Sequence, residues 1–198
     1  MRLRYFLPGY LLVYVVIAFV WRSYRVWKRT GINPVTFKGS DSAHDLIGSF
    51  FKVVFVLLTA DVLVYSFVPK LYKYCSPFDW LMNSRVSFMG IALMVLSLMW
   101  TVIAQAQMGE SWRIGIDSEH QTSLVQTGIF SISRNPIFVG MIITLLGLFL
   151  VIPDALTLLA LIMGATLIAI QVRLEEEFLR KTHGDEYARY SQRVRRWL

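Results

Sequence analysis

Three short polar stretches in the second half of the chain hold the residues best suited to chemistry. They are Ser133-Arg134-Asn135-Pro136, Arg173-Leu174-Glu175-Glu176-Glu177 and His183-Gly184-Asp185-Glu186-Tyr187. A carboxylate such as Glu176 can take a proton from an amine or a thiol, and an arginine such as Arg173 can hold a carboxylate. These residue types could support either kind of chemistry. The chain segments that connect the three stretches must fold so that the stretches lie close together.

The segments that position these residues are long and apolar. Hydrophobic residues make up 56% of the 198, and the mean hydropathy is +0.53, which is too much apolar surface for a soluble domain to hide in this arrangement. We therefore predict an all-α integral membrane protein that forms a single domain over residues 1–198. About five transmembrane helices are expected, and the last two form a C-terminal hairpin.

The boundaries of these spans follow from the apolar runs and the residues that interrupt them. The predicted spans are residues 5–21, 46–68, 86–104, 137–152 and 155–170. A polar connection is expected over 22–45 and a cofactor-binding loop over 105–135. An amphipathic tail helix over 172–198 is expected to break at Gly184, with Asp185 as an N-cap.

The charge pattern indicates topology. The net charge is +7, and most basic residues flank the spans on the side of the tail. This bias predicts a cytoplasmic C-terminus and an outside N-terminus. The basic residues are expected to meet lipid rather than nucleic acid, because no aromatic residues alternate with them in a polar segment. No metal site is expected, since His44, His120 and His183 lack metal-ligand spacing.

The order and spacing of four motifs resemble the isoprenylcysteine carboxyl methyltransferase family and its phospholipid methyltransferase relatives. The motifs are Leu124-Val125-Gln126-Thr127-Gly128-Ile129-Phe130, Arg134-Asn135-Pro136-Ile137-Phe138, Glu175-Glu176, and His183-Gly184-Asp185-Glu186-Tyr187 followed by Tyr190. The resemblance covers about residues 105–196. It implies a membrane enzyme that transfers a methyl group from S-adenosylmethionine to a lipophilic small molecule or lipid.

The resemblance also implies which residues bind the cofactor and which carry the chemistry. The implied cofactor-binding residues are Leu124, Val125, Gly128, Phe130, Arg134, Asn135, Pro136, Phe138, Glu175 and Glu176. Carboxylates and aromatic faces suit a ligand that carries a sulfonium and an amino group. Arg173 and Glu176 are the catalytic candidates: Arg173 would hold a carboxylate acceptor, and Glu176 or His120 would deprotonate an amine or a thiol.

Some positions depart from the family pattern. Asn135 stands where eukaryotic members have histidine, Phe130 and Phe138 where many have tyrosine, and His183 where phenylalanine is common. Asparagine still donates and accepts hydrogen bonds, so cofactor binding is retained in this interpretation. The departures argue against a prenylated protein as the substrate. They favour a bacterial-type member in the inner membrane, whose site faces the cytoplasm.

Plainer interpretations compete for the same residues. The three glutamates also fit a solvated helix face, on which Glu176 pairs with Arg180 and Glu177 with Lys181. Trp112 suits an interfacial anchor or the mouth of a cofactor site. Asp61, inside the second predicted span, is either a paired or protonated structural residue or part of a polar substrate path.

Two other functions compete with methyl transfer. The first is a membrane NADPH-dependent reductase of the sterol reductase type, because those enzymes share a related helical core. The second is a non-catalytic membrane scaffold, which would tolerate substitution of Asn135 and Glu175. Close helix packing, predicted from Gly140 and Gly147 on one face of the hairpin, would suit all three functions.

Overall fold

The computed structural model describes residues 2–37, 41–117, 120 and 122–198. Helices form almost all of the regular structure in these ranges, and no strand is formed within them. The α-helices are α1 (Arg2–Val15), α2 (Arg22–Thr30), α3 (Ala43–Phe67), α4 (Pro69–Tyr72), α5 (Ser84–Met108), α6 (Pro136–Val151) and α7 (Ala155–Arg193).

Four helical runs are long and apolar enough to cross a membrane. They are Arg4–Thr30, Ala43–Phe67, Ser84–Ser111 and Ala155–Arg193. Helix α6 is equally apolar but has only 16 residues. The prediction of an all-α membrane protein is confirmed. Four of the about five predicted spans are long enough to cross a membrane, and the other, α6, is shorter.

The first span extends further than its sequence predicted. Helices α1 and α2 are joined by a π-helical turn, Val16–Trp21, so the helix continues through the basic stretch to Thr30. It ends where Gly31 adopts a left-handed conformation (φ 71°) and donates its N–H to the Trp27 carbonyl. The prediction of a polar connection from residue 22 is therefore wrong for 22–30, because nothing breaks the helix before Gly31.

Side-chain caps fix where the other long helices begin. Ser42 accepts the Asp45 N–H at the start of α3, and Asn83 accepts the Val86 N–H at the start of α5. Asp154 caps α7 by accepting the Thr157 N–H at 2.8 Å. The α6–α7 turn thus consists of little more than Ile152, Pro153 and this cap, as the sequence predicted.

Helix α7 is one long element rather than a short span and a separate tail. Its 39 residues correspond to about 58 Å, roughly twice the thickness of a hydrocarbon core. The predicted division near residue 171 is wrong, because Gln171 and Val172 continue the helix without a breaker. The predicted break at Gly184 is confirmed by its φ of 49°. About 30 Å of helix separates Ala155 from Glu175, which places Glu175 at a membrane boundary.

Glycine allows α5 and α6 to approach closely. A Cβ on Gly147 would lie 2.7 Å from the Met94 side chain and 2.8 Å from the Gly90 carbonyl oxygen, and a Cβ on Gly140 would collide with Thr101. The predicted close packing at Gly140 and Gly147 is confirmed. This contact fixes the start of α6, and therefore Asn135, relative to α5.

At the end of the bundle formed by the α6–α7 turn, two acidic residues lie side by side. Asp61 is 2% exposed and faces Asp154. Burial raises the pKa of Asp154, which favours its neutral form and lowers the cost of placing two acidic residues close together. This arrangement favours the structural interpretation of Asp61. The opposite end of the bundle is called the site end below. It carries residues 31–37, 41–42, 109–117 and 122–135 and the C-terminal segment.

Candidate functional site

Glu176 is the centre of a buried polar cluster at the site end. It is 4% exposed, and its carboxylate receives three hydrogen bonds from the Arg196 guanidinium, at 2.8, 3.1 and 3.1 Å. The Arg134 guanidinium lies 3.3 Å and the Asn135 amide nitrogen 3.2 Å from Oε1 of the same carboxylate. We call these four residues the clasp. The solvated-face interpretation is wrong for Glu176, whose partners are Arg134 and Arg196 rather than Arg180.

The clasp fastens the C-terminal segment to the loop that precedes α6. The Asn135 side chain also donates to the Arg196 carbonyl at 3.1 Å, and the Arg134 backbone N–H donates to the Arg195 carbonyl at 2.9 Å. Hydrogen bonding to Glu176 raises the pKa of Arg196 above its ordinary value. The Arg196 guanidinium therefore stays charged, and its contacts with Glu176 hold the C-terminal segment against α7.

Two tyrosines beyond the Gly184 break extend this attachment. Tyr187 is fully buried, and Tyr190 donates its hydroxyl hydrogen to the Phe130 carbonyl at 2.7 Å. Both tyrosines therefore pack the end of α7 onto the bundle. Phe130 is thereby fixed from the tail side.

The loop is fixed from α5 as well. The Gln107 side chain accepts the Ile129 N–H at 2.8 Å. Gly128 has a φ of 62°, and a Cβ there would lie 2.5 Å from Gln107. Only glycine combines that backbone conformation with that approach. Pro136 begins α6, and its carbonyl accepts the Trp100 indole N–H at 2.8 Å. Leu124, Val125 and Phe138 are half-buried beside these contacts.

Glu175 points to a different face of α7 from Glu176, because successive helical residues are about 100° apart. Its Oε1 accepts a hydrogen bond from the Gln171 side chain at 2.8 Å. The same Gln171 nitrogen lies 3.4 Å from Nδ1 of His44, which belongs to the first turn of α3. The Ile116 N–H donates to Nε2 of His44 at 3.2 Å. Glu175 thus faces α3 and the loop after α5 rather than the clasp.

Several predicted site residues lie apart from these two groups. Arg173 is exposed, and its guanidinium donates to the Ala169 carbonyl of its own helix at 2.6 Å. His120 is exposed and contacts Asp117 at 3.2 Å. Glu177 is exposed and pairs with Lys181 at 2.6 Å, which confirms the solvated-face interpretation for this residue.

Trp112 is packed inside the protein. It is 3% exposed, and the Arg22 guanidinium lies 5.9 Å from its ring centroid. Its interpretation as an interfacial anchor is therefore wrong. Arg22 also donates to the Gly109 carbonyl, so this contact joins the end of the first span to the loop after α5.

Three residues of these groups were missed in the sequence. Arg196 is one of many basic residues in the tail, and no spacing distinguishes it. His44 lies 127 positions before Gln171 and 72 before Ile116, so only the tertiary structure reveals it. Gln171 could have been found, because it lies four residues before Glu175 on a helix.

A family model describes the segment that carries this site. The model of the phospholipid methyltransferase family matches residues 86–186, just over half of the chain. The chain belongs to the phospholipid methyltransferase family. The match includes α5, the loop, α6 and most of α7, and so confirms the predicted resemblance. No curated protein matches the chain significantly.

Membership defines the protein's general class of activity. It is a membrane methyltransferase of a family that acts on lipid-type substrates. The matched range contains Asn135, Glu175 and Glu176, whereas Arg196 and His44 lie outside it. Within the described residues, no group of three histidine, cysteine, aspartate or glutamate side chains is arranged to hold a metal ion.

Proposed function

We propose that this protein uses S-adenosylmethionine to methylate a lipophilic acceptor that reaches the site end from the bilayer. The observation that carries the proposal is the position of Glu175. It lies in the family-matched segment, at a membrane boundary, on a helix that continues from the bilayer into water. A polar cofactor and an apolar acceptor can meet only at such a boundary.

The residues at the site end suit this cofactor. Glu175 uses one carboxylate oxygen for Gln171, and its second oxygen has no donor among the described residues. Asn135 uses its amide nitrogen in the clasp, which leaves its carbonyl oxygen for a ligand. A ligand with amino and sulfonium groups complements such acceptors. Bound there, the cofactor would supply an electrophilic methyl group.

Loop 124–131 would form the apolar wall of the cofactor site. Gln107 and Tyr190 hold this loop at Ile129 and Phe130, so its shape is set before a ligand arrives. Leu124, Val125 and Phe138 retain partial exposure and offer apolar contact. A preformed wall lowers the entropic cost of aligning donor and acceptor and excludes water from the reaction.

We assign Glu176 a positioning role. Its two oxygens already bind Arg134, Asn135 and Arg196, so a proton on Glu176 would weaken three contacts. Its neighbour Arg173 is exposed on α7 two residues before Glu175, where it could hold an anionic acceptor. A carboxylate acceptor needs no base. An amine or a thiol could release its proton to water at the boundary.

The proposed orientation follows the distribution of basic residues. The site end and the C-terminus would face the cytoplasm of a bacterial-type cell, where the cofactor is made, and the α6–α7 turn would lie on the outer side. Acceptor molecules would enter sideways between helices rather than through the water phase.

The test is calorimetric titration of S-adenosylhomocysteine into the detergent-purified protein. We expect wild type to bind, Glu175→Gln to lose most of the affinity, and Glu177→Gln to bind like wild type. Glu177 is the matched control because it lies two residues after Glu175 on α7, is exposed, and pairs with Lys181 at the surface. Absence of binding by folded wild type would overturn the proposal, and binding of NADPH instead would favour the reductase.

A second assay identifies the acceptor class. The protein is incubated with methyl-labelled S-adenosylmethionine and lipid extracts, and the labelled lipid is then treated with alkali. A methyl ester of a carboxylate releases labelled methanol, whereas methylated amines and thiols keep the label. Transfer that requires wild-type Glu175 ties the activity to the site.

A further inference from the structure

Three arginines lie on one face of α2, at the end of the first span. Arg22, Arg25 and Arg29 follow one another at three- and four-residue spacing, so their side chains project from the same side of the helix. Together with Gly109 and Glu110 they line an open cleft between α2 and the residues that follow α5, which we call the arginine cleft. Its lining includes three guanidinium groups and one carboxylate, so the net charge of the cleft is +2.

The protein leaves these charges largely without partners. Among the described residues, Arg25 and Arg29 form no ion pair, and both are exposed. Arg22 donates to the Gly109 carbonyl and lies over the Trp112 ring, but its buried Nε has no hydrogen-bond partner. Like charges that lie close together repel one another, and a buried donor without an acceptor costs free energy. An anion bound in the cleft lowers both costs.

The arginine cleft lies where the first span leaves the hydrocarbon region of the bilayer. The run Arg4–Thr30 has 27 residues and is about 40 Å long, compared with about 30 Å for the hydrocarbon core. Trp21, Tyr24 and Trp27 are exposed along this part of the helix, and the centroids of neighbouring rings are 6.1 and 6.4 Å apart. Exposed tryptophan and tyrosine residues favour the headgroup region. The cleft is therefore at the depth of lipid headgroups.

The chemistry of the cleft suits a phosphate group. A guanidinium group can donate two parallel hydrogen bonds to the oxygens of one phosphate. Basic pockets between transmembrane helices bind the headgroups of anionic lipids in this way. A zwitterionic headgroup carries a cation beside its phosphate, and the net charge of the cleft repels that cation. The cleft therefore favours a lipid with a net negative charge.

We propose that Arg22, Arg25 and Arg29 bind the phosphate of an anionic phospholipid, beside the exposed aromatic residues of the first span. All three arginines precede the family-matched segment, residues 86–186, and none of them is assigned to the cofactor. Because Arg22 also contacts Gly109 and Trp112, a bound lipid joins the first span to the loop after α5. The inference does not depend on the proposed function, since the lipid binds whether or not a methyl group is transferred.

The test is native mass spectrometry of the detergent-purified protein, titrated with two lipids. Phosphatidylglycerol is anionic, whereas phosphatidylcholine has the same phosphate and no net charge. We expect wild type to bind phosphatidylglycerol more tightly. Arg25→Gln and Arg29→Gln should each weaken its binding about fivefold, and the double variant about 30-fold. Binding of phosphatidylcholine should stay nearly unchanged in all three variants.

Lys28→Gln is the matched control. Lys28 belongs to the same helix, but its ammonium group lies 5.9 Å from the centroid of the Tyr24 ring, and it does not line the cleft. This variant loses the same charge as Arg25→Gln and should bind phosphatidylglycerol like wild type. A variant with lysine at both Arg25 and Arg29 keeps the charges but loses the paired donors, and we expect it to bind about threefold more weakly.

Three results would overturn the inference. The first is equal affinity of folded wild type for the two lipids. The second is an equal loss in Lys28→Gln and Arg25→Gln, which would indicate diffuse attraction to a basic helix instead of a site. The third is displacement of phosphatidylglycerol by inorganic phosphate at a similar concentration, which would assign the cleft to a soluble phosphate compound. The melting temperature of each variant reports on folding. If the double glutamine variant does not fold, the double lysine variant decides the question.

Discussion

Two adjacent glutamates on different faces of α7 have opposite surroundings. On one face, Glu176 is buried and bound by Arg134, Asn135 and Arg196. On the other, Glu175 accepts a hydrogen bond from the neutral Gln171, and no basic residue in the described part of the chain forms an ion pair with it. The same side chain is thus part of the architecture in one case and available to a ligand in the other. The difference teaches that a pair of acidic residues in a motif need not share a role.

The largest expected effect comes from the clasp. Glu176→Gln leaves Arg134 and Arg196 without their counter-charge and should cost about 2–3 kcal/mol of stability. In a chain of this size that corresponds to a fall in melting temperature of about 5–10 °C. Thermal unfolding in detergent, followed by circular dichroism, measures it. An unchanged melting temperature would show that the clasp is not structural.

A smaller effect is expected at Asn135, which joins the clasp to the cofactor site. Asn135→Ala removes hydrogen bonds to Glu176 and to the Arg196 carbonyl, for a cost of about 1 kcal/mol and roughly 3 °C in melting temperature. Affinity for S-adenosylhomocysteine should fall as well, because the Asn135 carbonyl oxygen is lost. A loss of affinity with no change in melting temperature would show that Asn135 contributes to ligand binding and not to stability.

The smallest effect is expected at Glu177, the third glutamate. It is exposed, and its contact with Lys181 is a surface ion pair of the kind that contributes little. Glu177→Gln should leave both the melting temperature and the affinity for S-adenosylhomocysteine unchanged within error. A clear change in either would mean that this side chain contacts something beyond Lys181. Glu177 would then not be the inert member of the three glutamates.

The three glutamates also show where sequence reasoning stops. Their spacing identifies a polar helical segment, and the four motifs identify the family. However, the direction in which each side chain points depends on how α7 is rotated about its axis. That rotation is set by packing against α3 and α6. It cannot be predicted from the sequence around residues 175 and 176 alone.

The sequence by itself determined the membrane class, the loop that turns at Asn135-Pro136, the glycine contacts of α6 and the break at Gly184, because each depends on local hydropathy or backbone freedom. Only the tertiary structure decided that Glu176 pairs with Arg196 and that His44 reaches Gln171. Those contacts join residues 20 and 127 positions apart. The tertiary structure brings these residues together, and no local sequence pattern predicts contacts between positions so far apart.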